Sequence, residues 1–450
     1  MIPVIAIFDV GKTNKKIFLF DEDYHIVYER SARFLETEDE DGFPCENLES
    51  LRQSVLDSLK EVSGLKQFEV KAVNFSAYGA SFVYLDEDGK TLTPLYNYLK
   101  PYPENLSKAF YAEYGGEEKF SSETASPALG SLNSGLQLYR LKKEQPEVFK
   151  KLKYALHLPQ YLSFLVSGQY CTDITSIGCH TAMWDMAHNQ YHQWVTQEGI
   201  IDKLPPITPA DRIFQTDGHK IGIGLHDSSA ALIPYLINFR EPFVLISTGT
   251  WCISLNPFDH SILTTDELKK DCLCYLQYNG KPVKASRVFS GNEHEQEVKR
   301  IAEHFNVDVI KFRSMPYDSE LITKLKSVFH QNIQTSDITK GSGFAGRDIS
   351  AFNNATEAYN QLMLDLVNQQ LHSTKLVLKG KDTKRIFVDG GFSKNAIYMH
   401  LLASVFPDTE VYAASMAQAT ALGAALAIHN SWNTKHIPHD LIGLKYYSAS

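Results

Sequence analysis

The sequence predicts an α/β chain built twice on one plan, and three observations carry that expectation. The segment Ile5-Ala-Ile-Phe-Asp-Val-Gly-Lys-Thr-Asn14 is an apolar strand that enters a turn holding Gly and Thr, after which Lys15-Lys-Ile-Phe-Leu-Phe20 resumes as a strand. The same order returns where Phe243-Val-Leu-Ile-Ser-Thr-Gly-Thr250 runs into Trp251-Cys-Ile-Ser-Leu255, so both read as strand, tight turn, strand. Each hairpin is then followed by helical patterns and a buried strand, Val70-Lys-Ala-Val-Asn-Phe-Ser76 in the first half and Arg385-Ile-Phe-Val-Asp389 in the second. Strands with a returning helix and strand describe a mixed sheet covered by helices.

In chain order, strands over 4–8, 15–20 and 26–33 form a meander, with Asp21-Glu-Asp23 as a turn. A helix pattern over 48–62 leads to the strand at 70–76, and Phe82-Val-Tyr-Leu85 turns at Asp86-Glu-Asp-Gly89. Helical material dominates 105–167, broken at Gly115-Gly116, Pro127, Gly130 and Pro146, and a Pro-rich link follows at Leu204-Pro-Pro-Ile-Thr-Pro209. The second half carries helices over 293–305 and 355–375. At 450 residues the chain is long for one continuous domain, so domains of 1–240 and 241–450 are expected.

A net charge of -9 argues against a general binder of nucleic acid or anionic membrane. The six cysteines show no framework spacing and no Cys-x-x-Cys pair, which reads as reduced thiols of a cytoplasmic protein. The apolar run at 2–8 lacks a basic flank and meets Asp9, so it is a buried strand rather than a signal peptide. No apolar stretch reaches the length of a membrane span, and Asn105 and Asn354 carry no glycosylation meaning. Oligomeric state is left open, a homodimer included.

Glycine lets the main chain approach a ligand, and successive N–H groups with a Thr hydroxyl make a surface suited to phosphates. Gly11-Lys12-Thr13 is not a P-loop, because the required earlier Gly is Ala6 and a strand follows instead of a helix. Gly-Thr turns also join ordinary hairpins; two of them facing each other would form a clamp, with Lys12, Lys15, Lys16 and Lys394 beside the Gly-rich turns. In Ile221-Gly-Ile-Gly-Leu-His-Asp-Ser-Ser-Ala-Ala231, Asp227 opens a helix, either as an N-cap or as a carboxylate that takes the proton of an attacking hydroxyl. Asp389-Gly-Gly-Phe-Ser-Lys-Asn395 joins a strand to a helix and gives a flat ligand bare backbone to lie on. The small-residue helix from Ala417 to Ala427 is expected to pack against that loop. His294-Glu295 fails as a zinc motif because the second His would fall at Val298, and His188 and His192 read as surface histidines. Aromatic residues over 96–102 suit either sugar stacking or a core.

In this order the elements resemble the FGGY carbohydrate kinases of the actin-like ATPase superfamily, over almost the whole chain. Asp9-Val-Gly-Lys-Thr-Asn14 is similar to the family's first phosphate loop, Ser247-Thr-Gly-Thr-Trp251 to its second, Gly390-Gly-Phe-Ser-Lys-Asn395 to its adenosine segment, and Asp227 takes the catalytic-base position. The Ser/Thr-Gly-Thr-Trp form most resembles the rhamnulokinase branch. The resemblance implies two ribonuclease H-like domains around a deep interdomain cleft that holds ATP, Mg2+ and a sugar. It places Gly11, Lys12, Thr13, Asn14, Thr248, Gly249, Thr250, Gly390, Gly391, Lys394 and Asn395 at ATP, and Asp9 and Asp227 at the metal. Tyr78, Ser81, His226 and Asp227 are placed at the sugar. The implied reaction is ATP-dependent phosphorylation of a sugar hydroxyl, of a ketose such as rhamnulose, fuculose or a pentulose. Tyr78-Gly-Ala-Ser81 departs from the aromatic-Gly-x-Asp of related ketose kinases, and Leu95-Tyr-Asn-Tyr-Leu-Lys100 lacks the family's aromatic residue with Asp and Arg close behind. A polyol kinase and a non-catalytic actin-like nucleotide-binding regulator stand as alternatives.

Overall fold

The computed structural model describes residues 1–448 apart from Thr13, Asp217, 329–340, 379–381 and Ala417. In the first sheet Ile2–Val10, Lys15–Asp21 and Ile26–Ala32 form an antiparallel meander. On its other side Ile2–Val10 pairs in parallel with Phe68–Ala77, which in turn pairs in parallel with Lys220–Gly222 and Leu225–His226. The second sheet repeats this order and these senses. Phe243–Thr248, Cys252–Asn256 and Pro282–Val288 are the antiparallel meander, and Phe243–Thr248 pairs in parallel with Arg385–Gly390, followed by Glu410–Ser415. Two sheets with one strand order define the duplicated ribonuclease H-like plan of the actin-like ATPases.

Alternation along the first strand explains why it is apolar on both faces. Val4, Ala6, Phe8 and Val10 enter a core with Leu51, Val55 and Leu162 of covering helices. Ile5 and Ile7 point the other way, to Ala230, Ile233, Ala421 and Ala425. The helix Asp227–Asn238 lies between the sheets, because Ala230 and Ile233 join the core of the first while Leu232 and Tyr235 join Phe243 and Leu245 of the second. The outer face of the second sheet, with Val244 and Ile246, is covered by Ala355–Val377 and Ala396–Val405.

The helix Ala419–Ala427 does not pack on the Gly390 loop as expected. It lies against Asp227–Asn238, where a Cβ on Gly423 would stand 1.8 Å from the Ala230 carbonyl oxygen, and Asn74 Nδ2 donates to Ala424 O at 2.8 Å. Its small residues specify close approach but not the partner. Within the stretch expected to be helical, Tyr154–His157 is a strand paired with Phe82–Leu85. His192 is buried, contrary to its surface reading: its side chain caps the helix Gln193–Gln197 and meets Glu123 at 3.2 Å, while His188 stays exposed beside Asp185. All six cysteines are buried and unpaired. No described helix is long and apolar enough to cross a membrane.

Candidate functional site

Asp227 is brought to its position by the short strand Leu225–His226, which pairs with Ser76 and Ala77 and then turns into a helix. The N-cap is His226, so Asp227 is the first helical residue and its carboxylate is not consumed as the N-cap of the first turn. Its Oδ1 accepts from the backbone N of Ser228 at 2.6 Å, and His226 Nε2 stands 3.3 Å away. The side chain retains 32% of its exposure, yet removal of solvent around it weakens it as an acid and pushes its pKa up to about 6, against which the Ser228 hydrogen bonds work. Burial holds His226 down at about 4, so it is neutral at physiological pH. A Cβ on Gly79 would touch the His226 ring at 2.8 Å, so the segment Tyr78-Gly-Ala-Ser81 lies directly on this histidine.

Asp9 lies one residue before the end of the first strand and within reach of the charge of Asp227. Burial raises it to about 6; the Thr420 hydroxyl, donating to Oδ2 at 2.9 Å, works against that, and the charge of Asp227 adds to it. Two carboxylates within electrostatic reach of one another, both poised near neutrality, suit one base and one cation ligand. Among the described residues no group of three or more His, Cys, Asp or Glu side chains is placed to hold a metal. A cation at Asp9 would therefore complete its shell with ligand oxygens and water, which is the habit of Mg2+ at phosphate sites.

In the first hairpin, Gly11 N donates to Asn14 O at 2.9 Å and closes the turn. Its lysines are engaged: Lys12 with Glu36 at 2.8 Å, Lys16 with Glu29 at 2.8 Å, and buried Lys15 with Glu46 and with the Lys12 carbonyl, both at 3.0 Å. Asn14 Oδ1 accepts from Arg33 Nε at 3.0 Å. Thr13 lies outside the described residues. Tyr78 reaches Glu46 through its hydroxyl at 3.5 Å and meets Tyr98 edge-on, and Tyr98 in turn lies within reach of the charges of Lys12 and Asp227. Ser81 is buried, and its carbonyl accepts from Leu158 N.

The second hairpin and the Gly390 segment share one cavity of about 610 Å³, lined by Thr248, Gly249, Thr250, Gly391, Lys394 and Asn395 together with Gly291, Asn292, His294, Phe312 and Tyr359. Main chain is packed on main chain here. A Cβ on Gly291 would fall 1.8 Å from Gly249 O, and one on Gly390, at φ +89, would fall 1.9 Å from Thr248 O. Thr248 Oγ1 ties the loops by donating to Asp389 O at 2.5 Å and accepting from Phe392 N at 3.0 Å. Asn395 caps Ala396–Val405 and donates to Tyr359 Oη at 2.8 Å, and Phe312 stacks on that ring with centroids 4.8 Å apart. This fits a nucleotide: a flat aromatic wall, polar groups at its edge, and Gly-lined loops at its mouth. His294, Phe312 and Tyr359 were not read from the sequence. In the sequence His294 offers only a failed zinc motif, in a helical neighbourhood that looks polar.

The fold and the site together define a two-lobed α/β protein of the actin-like ATPase class. Residues 4–227 match the N-terminal domain model of the FGGY family of carbohydrate kinases, and residues 240–436 match the model of the FGGY carbohydrate kinase C-terminal domain. The chain belongs to this family. Among curated relatives, it is 27% identical to a rhamnulokinase of Halalkalibacterium halodurans over 39% of this chain and 37% of that one. It is 24% identical to a rhamnulokinase of Mannheimia succiniciproducens over 58% and 55%. The chain thus matches about half the length of these curated relatives or less. Among solved structures, a carbohydrate kinase from Novosphingobium aromaticivorans shares the fold with a TM-score of 0.79 at 22% identity, covering 99% of this chain and 94% of that one. A ligand-bound xylulose kinase from Lactobacillus acidophilus does so with a TM-score of 0.77 at 16% identity, covering 100% and 94%.

Proposed function

We propose that this chain transfers the terminal phosphoryl group of ATP to a hydroxyl of a small sugar, with Asp227 as general base. The observation that carries the reading is the placement of Asp227 at the start of its helix, within electrostatic reach of Asp9 near the end of the first strand, both raised to about 6, in a chain that also builds a Gly-lined cavity fit for a nucleotide. The domains divide near residue 240, the first carrying Asp9, Asp227 and the sugar segment, the second the cavity. A carboxylate of this acidity is ionised at neutral pH yet basic enough to take a proton from the attacking hydroxyl. Neutral His226 beside it offers a hydrogen bond without competing charge. The N–H groups of Gly11, Gly249 and Gly391 close their own turns on the Asn14, Trp251 and Thr248 carbonyls, so the phosphate oxygens meet the tips of these turns, and Mg2+ held at Asp9 would supply charge neutralisation on the transferred group.

Two relatives named above are rhamnulokinases and one of the solved structures is a xylulose kinase, and this supports a ketose as acceptor here, rhamnulose, fuculose and pentuloses first. Ser81 in place of an acidic residue presents a neutral hydroxyl at the sugar segment, which favours including polyols. The deciding experiment measures ATP consumption against a panel of free ketoses and polyols. Asp227→Asn should lower kcat on the accepted sugar by about 10³-fold, the range for a lost general base, while nucleotide affinity stays within a fewfold of wild type. Nucleotide binding without transfer to any acceptor would instead identify a regulator that uses this fold as a switch.

A further inference from the structure

Two hydrogen bonds run crosswise between the halves of the molecule. Thr420, in the first turn of Ala419–Ala427, donates through Oγ1 to Asp9 Oδ2 of the first sheet at 2.9 Å. Tyr235, on Asp227–Asn238, donates through its hydroxyl to Asp389 Oδ2 of the second sheet at 3.2 Å. Each donor sits on the helix that closes one half, and each acceptor is a carboxylate at the ligand-facing end of a strand of the other. The helices are in van der Waals contact at Gly423 and Ala230, where a Cβ would overlap the carbonyl, so neither can shift along the other without moving its hydroxyl.

The acceptors are placed at the loops that matter. Asp9 leads into the Gly11 turn, and Asp389 accepts from Gly390 N through Oδ1 at 2.7 Å while its own carbonyl takes the Thr248 hydroxyl. Thr420 sits in the first turn, with no earlier turn of its own helix to accept its hydroxyl, and a buried tyrosine needs only some acceptor. Here both hydroxyls are spent on charged groups across the junction, which makes these hydrogen bonds the stronger, charge-assisted kind.

We propose that Thr420 and Tyr235 are positioning residues, a reciprocal pair of latches through which each half sets the loop carboxylate of the other. Thr420 orients Asp9 toward the metal and phosphates, and Tyr235 orients Asp389 and with it the Gly390 turn. The proposal rests on the reading of these loops as the phosphoryl-transfer site, and its test separates the two. Urea unfolding of Asp9→Ala, Thr420→Val and their double mutant, and of Asp389→Ala, Tyr235→Phe and theirs, forms two double-mutant cycles. Non-additive cycles are expected; additive ones overturn the latches whether or not a sugar is turned over.

On an accepted sugar, Thr420→Val should lower kcat roughly tenfold, the low end for a lost hydrogen bond to a charged group, and raise the Mg2+ concentration needed for half-maximal rate. KM for the sugar should not change, and Thr420→Ser should restore both parameters. Tyr235→Phe should raise KM for ATP severalfold with kcat less affected. A Thr420→Val enzyme with wild-type kcat and Mg2+ dependence would sink the proposal. Absence of turnover in wild type would strike the kinase reading alone, since the unfolding cycles still judge the hydrogen bonds.

Discussion

The two hairpins that looked alike in sequence are each closed by a backbone hydrogen bond, Gly11 N to Asn14 O and Gly249 N to Trp251 O, but they are braced by different physics. The first is set by side chains: Lys12, Lys15 and Lys16 each meet a carboxylate, and buried Lys15 also clamps the Lys12 carbonyl. The second is set by main chain, with Gly291 and Gly390 so close to the Gly249 and Thr248 carbonyls that no side chain fits. One sequence pattern, apolar strand into a Gly-Thr turn, therefore specifies a bend but not what fixes it. The first hairpin should respond to charge by degrees, and the second to volume almost all or none.

Asp227→Asn gives the largest effect and touches neither hairpin, so it calibrates the rest. It also carries a stability signature. The carboxyls of Asp227 and Asp9 are raised from 3.8 to about 6 in the folded protein. Below 3.8 both folded and unfolded chains are protonated; between 3.8 and 6 the folded state keeps protons that the unfolded state has lost, so stability falls as pH rises and levels off above 6. The Asn variant is therefore expected to exceed wild type in urea midpoint at pH 7.5 and to match it near pH 3.5, a comparison that reads the burial of this carboxylate directly.

Gly291→Ala against Gly11→Ala is the sharpest break of the contrast between hairpins. The Gly291 Cβ has 1.8 Å to a carbonyl oxygen, whereas at Gly11 the nearest heavy atom is Asn14 O at 3.2 Å. Moving the Gly249 backbone by the required ångström or more should slow phosphoryl transfer by about 100-fold, the scale of such a misplacement in a preorganised site. Gly11→Ala should cost less than about tenfold, since the Asn14 carbonyl needs to give only a few tenths of an ångström. Steady-state rates on an accepted sugar measure both. Equal losses would show that the first hairpin is as tightly built from main chain as the second.

The pH profile of kcat/KM is the next test in size. With a base raised to about 6, the rate should drop about tenfold for each unit below that value and be flat above it. A limb near 4 would mean that Asp227 is solvated in the free enzyme.

How far the sequence could be read follows from the same contrast. The duplicated sheet was legible because Ile5-Ala-Ile-Phe and Phe243-Val-Leu-Ile are apolar without a break, the mark of strands buried on both faces, and each is followed by a Gly turn. Asp227 was legible as a helix start because Gly, His and small residues surround it. The engagement of the first-hairpin lysines was not, since Glu36 and Glu46 are distant enough in sequence that only the folded chain brings them in. Phe312 and Tyr359 were hidden for a similar reason: one sits on a short turn and the other on a long helix, and their stacking is tertiary. The helix Ala419–Ala427 announced close packing through its small side chains, yet nothing local distinguishes the Ala230 carbonyl from a glycine loop as its partner.

The smallest expected effect separates two ion pairs of the first hairpin. Lys15 and Glu46 keep only 8% and 4% of their side-chain exposure, so Glu46→Gln strands a buried ammonium and should cost about 3 kcal/mol of stability by urea unfolding. Lys12 and Glu36 keep 25% and 50%, and a pair this open contributes at most about 1 kcal/mol. Glu36→Gln should leave stability almost unchanged and release Lys12 toward whatever anion occupies the turn. If that anion is a nucleotide phosphate, ATP should bind up to about threefold more tightly in the variant at low salt, and the gain should vanish as salt screens it. No change in affinity at any ionic strength would mean that Lys12 serves the turn alone, and that anion binding at the first hairpin, like that at the second, is the work of its backbone.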